Sequence, residues 1–153
     1  MKFIVHTDGG ARGNPGPAAV GVVIEEVISD KGKVISKTKI TEFGKRIGET
    51  TNNVAEYTAV VEALKEVKRS FEAQDKQTEK GKSNENEIQF FLDSNLVVQQ
   101  LNGLFKVKDT KLRELLLSVR TLEQEVKGAV TYQYVPREKN READFLVNQA
   151  LDS

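Results

Sequence analysis

Four acidic side chains stand out in this sequence because of where the neighbouring residues place them. Asp8 and Asp93 each come directly after a short apolar segment that is typical of a buried strand. If these two strands are adjacent and parallel, both carboxylates lie at the carboxyl edge of the sheet, where ligands bind in open α/β folds. Carboxylates gathered at such an edge offer oxygen ligands, which hard divalent cations prefer. The spacing therefore marks this edge as a candidate site.

The other two acids, Glu56 and Asp144, each lie near the start of a predicted helix. Glu56 shares one face of its helix with small and apolar residues, Ala59, Val60 and Ala63. Its carboxylate is therefore expected to face the sheet. Taken singly, each of the four acids has a purely structural explanation. An aspartate after a strand often forms a turn, and an acid in a first helical turn interacts favourably with the helix dipole.

The elements that would position these acids follow from the apolar pattern along the chain. Strands are predicted over 2–7, 20–28, 34–43, 88–92 and 130–135, and helices over 54–69, 95–101, 110–126 and 142–151. This order implies one α/β domain over 1–153, in which an antiparallel meander is followed by strands added through helical crossovers. The predicted architecture is a five-stranded mixed sheet flanked by helices. The polar stretch 70–87 is predicted to be a flexible surface loop, and an extension of the preceding helix into its start is left open.

Composition argues against several classes of protein. No apolar run approaches the ~18 residues of a membrane-spanning helix, and the chain has no cysteine for disulfides or thiolate ligands. The 23 basic and 23 acidic residues give a net charge of zero, which argues against a protein that simply coats nucleic acid. The N-terminal residues lack a secretory pattern. We therefore expect a cytoplasmic location and no membrane partner.

Four strings that contain the acids resemble the motifs of ribonuclease H type 1, and they occur in the order of that family. They begin at Thr7 (TDGGARGNPGPAA), Thr51 (TNNVAEY), Asp93 (DSNLVV) and Asn140 (NREAD). The ordered set nearly spans the chain and is far more specific than any one string. The resemblance implies a ribonuclease H-like fold. It also implies an endoribonuclease that hydrolyses the RNA strand of RNA–DNA hybrids and leaves 5′-phosphate and 3′-hydroxyl ends.

The same resemblance implies that the four acids form a metal site. Asp8, Glu56, Asp93 and Asp144 would be the catalytic residues and the ligands of two Mg²⁺ or Mn²⁺ ions. One ion would activate the attacking water, and the other would stabilise the leaving 3′ oxygen. A cluster of like charges of this kind is stable only when cations neutralise it.

Contacts with the hybrid are implied as well. Along the minor groove, where RNA 2′-hydroxyls distinguish RNA from DNA, the implied residues are Gly9, Gly10, Asn14, Asn53 and Asn95. Thr51, together with Asn14, is implied to hold a phosphate of the DNA strand. Structural roles are open as well, because the glycines can permit unusual dihedrals and either Asn52 or Thr51 can cap the helix.

The loop before the last acid departs from the family. Many bacterial members carry a histidine there, whereas this loop reads VPREKN. Arg137, Glu138 and Lys139 are the candidate substitutes. The only histidine, His6, is expected to be a packed residue of the first strand.

A second departure is the absence of the long basic protrusion that many members carry after the third motif. The short segment in its place offers Lys106, Lys108 and Lys111 as possible phosphate contacts or as solvated surface charges. We therefore expect a short form without a hybrid-binding domain, with modest affinity for the hybrid. A monomer without an obligate protein partner is also expected.

Three other functions compete with this interpretation. A catalytically impaired hybrid-binding module would be favoured by a missing carboxylate, and none is missing. Another nuclease of the ribonuclease H-like superfamily would share the fold but fits the TNN string and the glycine-rich loop poorly. An enzyme that binds a small phosphate ligand in the glycine-rich loop would need the lysine and the helix start of a nucleotide-binding loop, and this loop lacks both.

Overall fold

Strands and helices follow one another in the predicted order in the structure, a computed structural model that describes residues 1–75 and 86–153. The strands are β1 (Lys2–Ala11), β2 (Gly16–Asp30), β3 (Lys33–Thr50), β4 (Glu87–Leu92) and β5 (Ala129–Tyr134). The helices are α1 (Asn52–Asp75), α2 (Asn95–Leu101), α3 (Thr110–Glu125) and α4 (Arg141–Asp152), with one 3₁₀ turn at Arg137–Lys139. Among these described residues, no helix is both long and apolar enough to cross a bilayer.

The sheet is mixed and has the strand order β3-β2-β1-β4-β5. β1 lies at its centre, antiparallel to β2 and parallel to β4. The first and fourth strands are therefore adjacent and parallel, which is the condition for Asp8 and Asp93 to lie at one edge of the sheet. Their parallel pairing ends at His6 and Phe91, so the chain beyond those residues forms the carboxyl edge.

Three strands are several residues longer than the sequence pattern predicts. β2 covers Gly16–Asp30, whereas 20–28 was predicted. β1 continues to Ala11 because its antiparallel pairing with β2 extends as far as Ala18, through the glycine-rich string. β3 continues to Thr50, well past its predicted end. The β2–β3 hairpin closes at Lys31 and Gly32, whose φ angles of 52° and 79° suit a two-residue hairpin turn.

The structure shows the helix extending into the start of the predicted loop over 70–87, which is the alternative that the sequence left open. Helix α1 continues to Asp75, because its apolar face persists through the buried residues Val67 and Phe71. The remainder of that prediction, over 76–85, lies outside the described residues.

Each face of the sheet is covered by helices. On one face, β1, β2 and β4 share a core with α1, α2 and α3, built around the fully buried Phe3, Tyr57 and Phe90. On the other face, α4 packs through Val147 and Leu151. Helix α4 packs closely against the sheet at Gly21, where an added Cβ would lie 2.2 Å from the Ala143 carbonyl oxygen. This contact places the first turn of α4, which contains Asp144, against the sheet.

Candidate metal and nucleic-acid site

Three of the four predicted acids meet in one cluster. Asp8, Glu56 and Asp93 each place a carboxylate oxygen so that all three oxygens lie within 4.8 Å of one another. Asp144 lies outside that set but lines the same cleft, whose volume is about 410 Å³. Four elements thus converge on one cleft at the carboxyl edge of the sheet.

The positions of Asp8 and Glu56 follow from local backbone structure. Asp8 lies two residues beyond the end of the β1–β4 pairing, where β4 no longer covers it. The next residue, Gly9, has no side chain, and a Cβ there would lie 2.2 Å from the Ala55 carbonyl carbon. This close approach brings the first turn of α1 against β1 and leaves Glu56 only 7% exposed. The prediction that Glu56 faces the sheet is confirmed.

Crowding and burial make the cluster electrostatically unfavourable without a cation. Burial, and next the charge of Asp93, raise the pKa of Asp8 to about 7. Burial and the neighbouring Asp8 raise the pKa of Glu56 well above its ordinary value. Burial also raises the pKa of Asp93, while the positive charge of Arg137 and a hydrogen bond with the Asn140 side chain oppose that rise.

The donor set suits a hard divalent cation. Its members are carboxylates, which are the ligands that Mg²⁺ and Mn²⁺ prefer. Glu56 Oε2 is buried and has no hydrogen-bond partner among the described residues. A buried carboxylate oxygen without a partner is costly unless a cation or donor meets it. The residues present therefore fit a divalent metal.

The metal-free protein is expected to lose stability as the pH rises from about 4 to about 7. Asp8 has an ordinary pKa of 3.8 and a folded-state pKa of about 7. Between these two pH values the folded state holds a proton that the unfolded state has released. The resulting stabilisation of the folded state is complete below pH 3.8 and is lost as the pH rises through about 7. In thermal unfolding experiments with EDTA, the Tm of Asp8→Asn should increase relative to the Tm of the parent as the pH rises.

The exposed Asp30 provides the control, because Asp30→Asn removes the same charge far from the cleft. We expect its Tm difference from the parent to stay nearly constant with pH. A constant difference for Asp8→Asn as well would contradict the raised pKa of Asp8.

The residues implied to contact the substrate divide into two groups. Gly9, Gly10 and Asn53 line the cleft with the acids, as does Arg137. At Gly10 an added Cβ would make an ordinary van der Waals contact with a Val147 methyl at 3.5 Å, so no close approach requires glycine there. Neither Gly9 nor Gly10 has a positive φ, so unusual dihedrals do not explain them.

The second group lies outside the lining of the cleft and is engaged in local hydrogen bonds. Asn14 Oδ1 accepts from the Asn52 backbone N–H at 3.0 Å. Thr51 Oγ1 accepts from the Val54 N–H at 3.2 Å, so Thr51 does cap α1. Asn95 Oδ1 accepts from the Gln99 side chain at 3.3 Å. These bonds use acceptor oxygens and leave the donor groups of the three side chains for other partners.

His6 and the three lysines also lie away from the cleft lining. His6 stacks on Phe91 with ring centroids 5.2 Å apart, and burial lowers its pKa. The prediction of a packed strand histidine is confirmed. Lys106, Lys108 and Lys111 are exposed along the segment that joins α2 to the first turn of α3.

Sequence reasoning missed several residues of the cleft. Asn52, considered only as a helix cap, lines it and accepts a 2.7 Å hydrogen bond from the Ala11 N–H through Oδ1. Arg12 also lines it and forms an ion pair of 2.6 Å with Asp152. Their positions in the sequence could have indicated this role, because both residues lie in strings that also contain a proposed catalytic acid.

Comparisons with known proteins agree with this geometry. The family model for RNase H matches residues 1–152. The bifunctional protein Rv2228c of Mycobacterium tuberculosis is 35% identical over the whole chain, which covers 36% of that protein. The ribonuclease HI of Halobacterium salinarum is 38% identical over 96% of the chain and 63% of its own length. The chain thus spans between one third and two thirds of these curated relatives.

A solved structure shows the same fold. LC11-RNase H1 in complex with RNA/DNA hybrid is 39% identical and superimposes with a TM-score of 0.75. The alignment covers 98% of this chain and 96% of that protein. The likeness therefore includes the elements that carry all four acids.

Proposed function

Because the chain belongs to the RNase H family, we propose that it is an endoribonuclease that hydrolyses the RNA strand of RNA–DNA hybrids and leaves 5′-phosphate and 3′-hydroxyl ends. The observation that carries this proposal is the cluster of Asp8, Glu56 and Asp93, with carboxylate oxygens within 4.8 Å of one another. Asp144 completes the cleft. The relative LC11-RNase H1, whose structure includes an RNA/DNA hybrid, supports the substrate class.

The family is metal-dependent, and we propose that the four acids hold two Mg²⁺ or Mn²⁺ ions. When bound, such ions supply charge neutralisation and Lewis acidity at the scissile phosphate. The chain's own part is to hold its carboxylates at the sheet edge, with Glu56 excluded from solvent. Arg137, which lines the cleft beside Asp93, is our candidate to replace the histidine of bacterial relatives.

Recognition of the hybrid is proposed to depend on the strings that surround the acids. Gly9 and Gly10, which have no side chains, line the cleft and would let the nucleic-acid backbone approach the acids, and Asn53 lines the cleft with them. Asn14 and Asn95 retain amide N–H donors suited to 2′-hydroxyls. The Thr51 hydroxyl retains its hydrogen, which suits a DNA phosphate.

The direct test is cleavage of end-labelled duplexes with and without Mg²⁺. We expect cutting of the RNA strand of a hybrid, little cutting of double-stranded RNA or DNA, and no cutting in EDTA. Tight binding of the hybrid without cutting would favour the hybrid-binding module. Equal cutting of double-stranded DNA would favour another nuclease of the superfamily. The cytoplasmic location and the monomeric state stay predictions from the sequence.

Replacement of Lys106, Lys108 and Lys111 by alanine is expected to raise KM for the hybrid more than it lowers kcat, because these exposed lysines lie outside the acidic cluster. With about 3 to 5 phosphate contacts in the parent, the log–log dependence of affinity on salt should have a slope near −2 to −4. The triple variant should have a shallower slope, measured by salt titration in an Asp8→Asn background.

In a charge-matched control, alanine replaces Lys33, Lys37 and Lys65, which are exposed on β3 and α1. Its slope should equal that of the parent. An unchanged slope in the Lys106, Lys108 and Lys111 variant would show that these lysines are only solvated surface.

A further inference from the structure

Asn140 occupies the N-cap position of α4 without capping it. Asparagine is favoured at this position because its side-chain oxygen accepts from a backbone N–H of the first turn. The Asn140 side chain makes no such bond, and the residue is only 1% exposed. Its Oδ1 is buried without a hydrogen-bond partner among the described residues. The side chain therefore has an arrangement that helix capping does not explain.

The amide of Asn140 instead bonds the chain next to Asp8 and lies beside Asp93. Its Nδ2 donates to the Thr7 carbonyl oxygen at 2.9 Å, one residue before Asp8 and just past the end of the β1–β4 pairing. The Asn140 side chain also lies close enough to the Asp93 carboxylate to lower the pKa of that carboxyl. Because an ionised carboxylate only accepts hydrogen bonds, the NH₂ group is the part of the Asn140 side chain that can stabilise it.

The backbone of Asn140 adds the fourth acid to this arrangement. Its carbonyl oxygen accepts from the Asp144 N–H at 3.1 Å, which forms the first turn of α4. One residue thus contacts β1, the end of β4 and the start of α4. These three elements carry three of the four proposed ligands.

We propose that Asn140 is a positioning residue of the metal site, whose side-chain NH₂ group fixes the Asp93 carboxylate relative to Asp8 and to the first turn of α4. The inference rests on the proposed function, because it assumes that these acids hold divalent ions. Asn140 acts through Asp93 and does not contact the substrate. Residues that orient a metal ligand typically contribute about 10- to 100-fold to metal affinity.

Asn102 supplies a matched control for the structural part of this role. Its Nδ2 also donates to a strand carbonyl, that of Tyr132, at 3.3 Å. It follows the C-terminal end of α2, whereas Asp93 precedes the N-terminal end, and it is exposed where Asn140 is buried. Asn102→Ala therefore removes a similar amide-to-carbonyl bond without altering the proposed metal site.

The test measures Mn²⁺ binding to the full chain by calorimetry, together with Tm in EDTA and steady-state cleavage of a hybrid. For Asn140→Ala we expect Mn²⁺ affinity to fall at least about tenfold, with a lower Tm and little change in KM for the hybrid at saturating Mn²⁺. Asn102→Ala should lower Tm and keep the parental Mn²⁺ affinity. If Asn140→Ala does not fold, Asn140→Ser is measured by the same criterion.

An Asn140 variant that folds and binds Mn²⁺ within twofold of the parent would overturn the inference, since the amide would then serve only the Thr7 carbonyl. Equal losses of Mn²⁺ affinity in the Asn140 and Asn102 variants would also overturn it. Failure of the proposed function is distinct, because the parent itself would then neither bind Mn²⁺ nor cut the hybrid.

Discussion

Asp8→Asn is expected to lower hybrid cleavage by about 10³-fold or more, because it removes a proposed metal ligand at the centre of the acidic cluster. Asp93→Asn should have a similar effect. The fold should persist, since the amide has the same size and relieves repulsion within a buried group of like charges. Single-turnover cleavage with saturating Mg²⁺, together with circular dichroism, measures both expectations.

The control for this prediction is Asp30→Asn at the exposed end of β2, which removes the same charge outside the cleft. It should cut the hybrid at the parental rate. An Asp8→Asn protein with near-normal turnover would remove Asp8 from the catalytic site. A variant that is inactive because it is unfolded would be recognised by its loss of the cooperative thermal transition.

A hybrid whose RNA strand carries 2′-deoxynucleotides around the scissile phosphate is expected to resist cleavage by at least about 10³-fold. The reason is that a site built to hydrogen-bond a hydroxyl group rejects an analogue that lacks it. Gly9, Gly10 and Asn53 line the cleft beside the acids, where a minor groove would present its 2′-hydroxyls. The measurement is kcat/KM for the two duplexes of identical sequence.

The matched substrate places the same number of 2′-deoxynucleotides at the far end of the RNA strand. This substrate should be cut near its unmodified centre at the same rate as the hybrid with an all-RNA strand. Equal cleavage of both modified duplexes and the all-RNA strand would show a nuclease that does not read the 2′-hydroxyl.

The element order and the location of the acidic cluster were predictable from the sequence for a local reason. Strands and amphipathic helices have apolar periods that a short window reveals, and a parallel crossover brings the carboxyl ends of strands to one edge. Asp8 and Asp93 follow directly from that geometry. Glu56 follows from the small and apolar residues on its own helical face.

Element ends were less predictable, because long-range pairing sets them. β1 continues through the glycine-rich string only because β2 pairs with it as far as Ala18, and α1 continues to Asp75 because Phe71 reaches the core. Neither partner lies within the local window from which the ends were predicted. The roles of glycines belong to the same class, since the need for Gly9 arises from the approach of Ala55.

The direction of the polar side chains was decided only by the tertiary structure. Composition places several asparagines in the motifs, but it does not distinguish Asn53 in the cleft from Asn95, which is bonded to its own helix. Asn140 has the sequence position of an ordinary helix cap, yet its amide donates to the Thr7 carbonyl oxygen and lies beside Asp93. An asparagine side chain takes whichever partners the surrounding elements leave unsatisfied, and those partners exist only once β1, β4 and α4 have met.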